Sequence, residues 1–153
     1  MDLKNRYENL MKKYDLPSYE DLDNEFELLF FQNIIEIKYV LRFIRRRIID
    51  RISGFINFFQ NILNPIGGNL IALEESNFLT KEEKDGVINL IKNMIALDRE
   101  SLILDVNQDE EKDAKFIKKA VAEWKEYKIK ISYYANKVKE GWRKDKKEEK
   151  EER

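Results

Sequence analysis

Lys38, Arg42, Arg45, Arg46, Arg47 and Arg51 crowd one short stretch of the chain, and clustered cations are the groups that neutralise phosphate. At about 100° per residue, Lys38, Arg42, Arg45 and Arg46 share one helical flank. That flank turns away from an apolar seam of Ile37, Leu41, Ile44 and Ile48. Such a stripe predicts an anion- or nucleic-acid-contacting surface. Tyr39 and Phe43 stand nearby but make no stacking ladder of the kind single-strand binders use. No helix-turn-helix, zinc-finger or RNA-recognition signature accompanies the stripe. The competing expectation is that these arginines pair with acids between Asp2 and Glu27, or with acids of the third helix.

Two further cations interrupt apolar seams. Phe30, Ile34, Ile37, Leu41, Ile44, Ile48, Arg51, Phe55, Phe58 and Ile62 alternate steps of four and three. So do Ile117, Val121, Trp124, Lys128, Ile131, Ala135, Val138 and Trp142. A repeat of about 3.5 residues keeps one face towards a partner helix, so both runs predict long helices of a bundle or coiled coil. Counting along antiparallel neighbours brings Arg51 and Lys128 to roughly one layer, within about a helical turn. A buried cation layer then needs an anion between the two, or both must snorkel to the rim. Asp85, Asp98 and Glu36 are the candidate acids, with Asn89 and Asn93 as hydrogen-bonding neighbours. A third role for the pair is to fix helix register.

Missing residue types restrict the chemistry further. With no Cys there is no disulfide, thiol nucleophile, zinc–thiolate site or iron–sulfur cluster. With no His there is no imidazole base and no Glu-x-x-His pair of a di-iron bundle. No EF-hand spacing, P-loop or dinucleotide fingerprint appears, and Gly67-Gly68 reads as a turn. No catalytic, cofactor-binding or metal-binding residue is assigned, and the expectation is a protein that is not an enzyme.

The elements that position these residues are helical. Charged residues make up 39% and apolar ones 42%, with five Gly and two Pro, which makes all-α the expected class. A charge-rich, Cys-free balance is also common in heat-adapted proteins. A short helix over Asp2 to Tyr14 is stopped by Pro17, and Ser18 with Asp21 starts the next. From Ser18 the rhythm continues to Leu63, a run of ~68 Å if unbroken, with Ser53-Gly54 its weakest point. Asn64 to Leu79 is a connector with a turn of helix at Leu70 to Glu75. Thr80 with Glu83 caps a third helix on the face Val87, Leu90, Met94, Leu97, Ser101 and Leu104. Asp109 to Asp113 gives the last helix an acidic first turn, and that helix should end near Trp142.

Lys13-Tyr14-Asp15-Leu16-Pro17-Ser18-Tyr19-Glu20-Asp21-Leu22, followed by Glu25-Phe26-Glu27, resembles the opening of small, uncharacterised all-helical archaeal proteins. The resemblance implies an all-α fold and an archaeal source, and no activity.

The expected fold is an all-α antiparallel bundle of three long helices plus a short N-terminal helix, four-helix-bundle-like. Residues 1–142 form one domain, and 143–153, which hold no apolar residue, should be a disordered charged tail. Its core should hold Phe26, Phe30, Ile37, Leu41, Ile44, Phe55, Leu90, Met94, Leu97, Val121, Trp124 and Ile131. The second and fourth helices outrun the third, so Phe55, Phe58, Phe59 and Trp142 should stand at an interface. Charge alternates along the chain: 4 basic against 8 acidic groups in 1–30, 6 against 2 in 31–63, 5 against 12 in 64–113 and 14 against 8 in 114–153. Oppositely charged segments favour one pairing order of neighbouring helices. The expected protein is cytoplasmic, with no membrane partner. It works through helix–helix contacts with a protein partner or with itself as a homo-oligomer; the alternative is an anion- or nucleic-acid-binding module.

Overall fold

The computed structural model describes residues 2–28, 37–67 and 69–151, with no side chains from 145 onwards. Six α-helices and no strand occur among them: α1 (Leu3–Tyr14), α2 (Tyr19–Phe26), α3 (Val40–Leu63), α4 (Leu70–Phe78), α5 (Lys81–Val106) and α6 (Glu110–Glu151). The three long helices are α3, α5 and α6, at 24, 26 and 42 residues. The short ones are three rather than one, so the four-helix count is corrected to six.

The extra break falls after Phe26. Glu27 adopts the left-handed conformation (φ 57°, ψ 51°) and its N–H donates to the Asp23 carbonyl at 2.8 Å, which closes α2. Glycine is the usual residue there, because a Cβ disfavours positive φ. A glutamate at that position gives no sign in the sequence. The expected single run from Ser18 to Leu63 is therefore two helices, while α3 itself is unbroken through Gly54. Phe30, Ile34, Glu36 and Gly68 lie outside the described residues. At the other end, α6 continues past Trp142 to Glu151, over a stretch that apart from Asp145 is lysine, glutamate and arginine, good helix formers.

The caps follow the sequence. The Asp21 N–H donates to Ser18 Oγ at 3.1 Å. Thr80 and Glu83 form a reciprocal box, with Thr80 N–H to Glu83 Oε1 at 2.9 Å and Glu83 N–H to Thr80 Oγ1 at 3.1 Å. Arg6 of α1 donates to the carbonyls of Ile37 and Lys38 and so fastens the approach to α3.

The chain divides into two compact units, Met1–Ser53 with Ala96–Trp124, and Gly54–Ile95 with Lys125–Arg153. In the first, α3 and α5 are antiparallel: Arg45 meets Ser101 and Asp105, whereas Ser53 meets Asp98. There α3 and α6 run parallel, since Arg45 meets Asp113 and Arg51 lies over Trp124. Phe26, Leu41, Ile44, Leu97 and Trp124 are buried as expected, and Ile37 and Val121 are half-buried. In the second unit Leu90, Met94 and Ile131 are buried, and Phe55 is half-buried.

The seams differ from expectation by one residue in each. On α3 the buried positions are Leu41, Ile44, Ile48 and Ile52, then Ile56, Phe59 and Ile62. Leu41 to Ile52 and Ile48 to Phe59 are steps of eleven, the period that follows a nearly straight helix. On α6 the heptad holds, but its second position is Ala120 and Tyr127 rather than Val121 and Lys128. Both changes put an apolar residue in the seam and its neighbouring cation outside.

Two glycines on long helices make opposite predictions. Gly54 is exposed, and a Cβ there meets nothing within 4 Å, so Gly54→Ala should add about 0.5–1 kcal/mol. A Cβ on Gly141 would overlap the Phe78 ring, so Gly141→Ala should cost about 1–3 kcal/mol. Urea denaturation of the two variants checks both signs.

Candidate functional site

The cation stripe is the strongest chemical feature, and the fold turns its centre inward. Arg45 is 0% exposed. Its Nε donates to Asp113 Oδ1 at 2.7 Å, and its Nη2 donates to Asp105 Oδ1 at 2.6 Å. Its Nη1 donates to the Ser101 carbonyl at 2.8 Å and to Ser101 Oγ at 2.5 Å. These four bonds occupy four of the guanidinium's five N–H groups. A phosphate cannot reach them, so Arg45 is removed from the expected anion-contacting stripe.

Its neighbours surround the same carboxylate. Arg42, half-buried, donates to the Asp105 carbonyl at 2.9 Å and to Gln108 Oε1 at 3.2 Å. Arg46 is half in solvent and donates from Nε to Asp105 Oδ1 at 3.1 Å. Lys38 is exposed, its ammonium 5.2 Å from the centre of the Tyr39 ring. The competing expectation, pairing with acids of the third helix, accounts for Arg42, Arg45 and Arg46. The alternating charge of the segments is realised here, 31–63 against 64–113.

The two carboxylates titrate in opposite directions. Burial pushes Asp113 above the ordinary 3.8, against the pull of Arg45. Burial acts the same way on Asp105, but hydrogen bonds from Arg45 and Arg46 outweigh it and hold that carboxyl below 3.8. Asp113 is 97% covered at its side chain and Asp105 only 70%, which accounts for the difference in balance.

Asp113, Asp105 and Ser101 are the members of this site that the sequence did not single out. Asp113 reads as a dipole-favouring residue of the first turn of α6. One signal was available: Ser101 is the polar member of an otherwise apolar face, and Asp105 follows it by four residues, one turn along the same side of α5.

The expected buried cation layer is not formed. Arg51 and Lys128 are both exposed, because Ile52 and Tyr127 take the seam positions beside them. Arg51 instead lies over the buried Trp124 ring at 5.7 Å. Ser53 Oγ reaches Asp98 at 3.5 Å, so the candidate acid Asp98 serves a serine of α3.

The expected interface set is divided as well. Phe59 is 0% exposed and packs edge-on to Tyr134, a correction to its expected place at a surface. Trp142 is half-buried, with its Nε1–H to Glu75 at 3.2 Å and its ring edge-on to Phe78 at 5.0 Å. Phe55 is half-buried and Phe58 is 38% exposed. The most exposed large aliphatics are elsewhere: Ile66, Leu70, Ile71 and Ile129 in the second unit, and Ile103 and Val106 in the first.

Among the described residues no group of three or more acids is placed to hold a metal ion, and no helix is long and apolar enough to cross a membrane. No family model matches the chain, and no curated protein or solved structure matches it.

The site yields two predictions. Arg45→Leu leaves Asp113 buried without its partner and should cost about 3–5 kcal/mol, whereas Arg46→Ala should cost about 0–1 kcal/mol. Chemical denaturation at neutral pH separates them. The second prediction concerns pH. The raised carboxyl of Asp113 contributes stability that is present below 3.8 and lost as pH rises through its folded value. The lowered carboxyl of Asp105 contributes stability that is present above 3.8 and lost as pH falls through its folded value. Across the acid range, the deficit of Asp105→Asn should therefore grow with pH, and that of Asp113→Asn should shrink.

Proposed function

We propose that this protein is a non-enzymatic interaction module that works through helix–helix contacts and associates with itself. One observation carries the reading: the central cation of the stripe is used inside the fold, while long aliphatic side chains stand outside it. Ile66 and Leu70 are each 74% exposed and Val106 is 77% exposed. Single exposed aliphatics are ordinary on a protein surface, but neighbouring ones mark a contact face. On α5, Leu102, Ile103 and Val106 lie within about one turn of each other; on α4, Leu70, Ile71 and Leu73 do the same, with Ile66 four residues ahead of them.

The anion- or nucleic-acid-binding alternative keeps only Lys38, the partly exposed Arg46 and the flank of Arg42. Arg42 and Arg46 are already committed to Asp105. Binding phosphate there would require breaking those pairs, which weakens the alternative.

Light scattering behind size exclusion, at about 0.15 M and about 0.5 M salt, tests the reading. Apolar helix pairing predicts a mass above the monomer's at both salt concentrations. A labelled oligonucleotide added at low salt should show no binding. A monomer at both salts, together with oligonucleotide affinity that collapses as salt rises, would reverse the assignment.

A further inference from the structure

The helix α4 is inside out. Its buried residues are Ala72 and Ser76, while Leu70, Ile71 and Leu73 are 74%, 64% and 51% exposed. An ordinary surface helix turns its large apolar residues inward. Here the helix is held by other means: the Ala72 N–H donates to Asn69 Oδ1 at 3.1 Å, Glu75 accepts from Trp142, and Phe78 packs on the same indole. Its leucines add nothing to that anchoring.

Next to α4 in the same unit lies a cleft of about 450 Å³ between the end of α3 and the middle of α5. Leu63, Ile66, Ile88 and Ile91 line it together with Gln60, Asn61, Asn64 and Lys92. Ile66 belongs to both features. It lines the cleft, and its carbonyl accepts from the Asn69 N–H at 3.1 Å in the turn that opens α4. The cleft therefore adjoins the start of α4, where Leu70 is exposed. Their charges are opposite: Glu74 is exposed on α4 and Lys92 is exposed at the cleft, and neither takes an ion pair among the described residues.

We propose that this face is a homotypic interface, in which α4 of a second copy lays Leu70 and Leu73 into the cleft beside Lys92. Its Glu74 meets that Lys92, and a two-fold axis repeats the contact in the other direction. The inference rests on the self-association reading and names its surface. A second copy fits better than a foreign helix or a small amphiphile, because either of those fills the cleft and leaves the α4 ridge in water. A two-fold pair covers ridge and cleft on both copies with the same patch, as an isologous dimer requires. Leu70 and Leu73 are three apart and so point the same way, giving the ridge two adjacent anchors.

Sedimentation velocity over a concentration series provides the test, with circular dichroism to show that each variant is folded. The wild type should dimerise. Leu73→Asp should raise the dimer dissociation constant about a hundredfold, since the substitution falls on both halves of a two-fold contact. Glu74→Lys and Lys92→Glu should each raise it about tenfold, and combining them should bring it back to within about threefold of the wild type. A dimer that all four variants leave unchanged overturns this surface and leaves self-association standing through another face. A wild type that stays monomeric throughout overturns both.

Discussion

A buried guanidinium constrains the first unit more than any apolar contact does. Moving a charge out of water costs several kcal/mol, and only close, well-oriented partners offset it. Arg45 finds them on two other helices: Asp105 and Ser101 on α5, and Asp113 at the start of α6. Apolar contacts are non-directional and select a register less sharply than hydrogen-bonded charges do. A guanidinium that must reach three groups at 2.5–2.8 Å cannot slide. It fixes the axial register of α5 against α3 and sets where α6 begins. The surrounding leucines and isoleucines then supply the bulk of the burial energy around a geometry that the ionic contacts select.

The same network decides what the surface can do. A helix carrying Lys38, Arg42, Arg45 and Arg46 on one flank looks, on paper, built for phosphate. Asp105 accepts from Arg45 and Arg46 and lies 3.9 Å from the Arg42 Nε, so that it and Asp113 offset two of the flank's four positive charges within the fold. Large apolar side chains also stand outside, many of them around the short α4 and the end of α5, with Ile129 and Tyr133 on α6. That distribution suits helix–helix contact better than electrostatic capture of a polyanion.

Much of this was legible in the sequence, and the misses have physical causes. The three long helices, the Ser18 and Thr80 caps and most core residues follow from periodicity and cap chemistry. The buried face of α5 follows too, save Leu104, which is only half-buried. The break at Glu27 does not, because a glutamate in the left-handed region carries no mark in the residue string. The seams lie one residue from the expected Arg51 and Lys128, for a different reason on each helix. On α3 the buried positions recur every eleven residues; on α6 the heptad was right and its phase wrong. In both, the neighbour of the cation, Ile52 or Tyr127, was the better core residue. Arg45 was legible as a cation and illegible as a core residue, since its partners come from residues more than fifty positions away. The outward leucines of α4 went unread for the opposite reason: a short apolar stretch reads as buried until its packing is known.

The most direct test of the central claim is a double-mutant cycle on Arg45 and Asp113, using Arg45→Met, Asp113→Leu and the pair together, read by urea denaturation at neutral pH. Arg45→Met leaves Asp113 buried without its ion-pair partner, Asp113→Leu leaves the buried Arg45 with Asp105 and Ser101 alone, and the double change removes the pair. The double variant should therefore lose much less than the sum of the two singles, with a coupling energy of about 2 kcal/mol or more. Losses that add to within about 0.5 kcal/mol would mean the two groups act independently, and would contradict a fold registered by this ion pair.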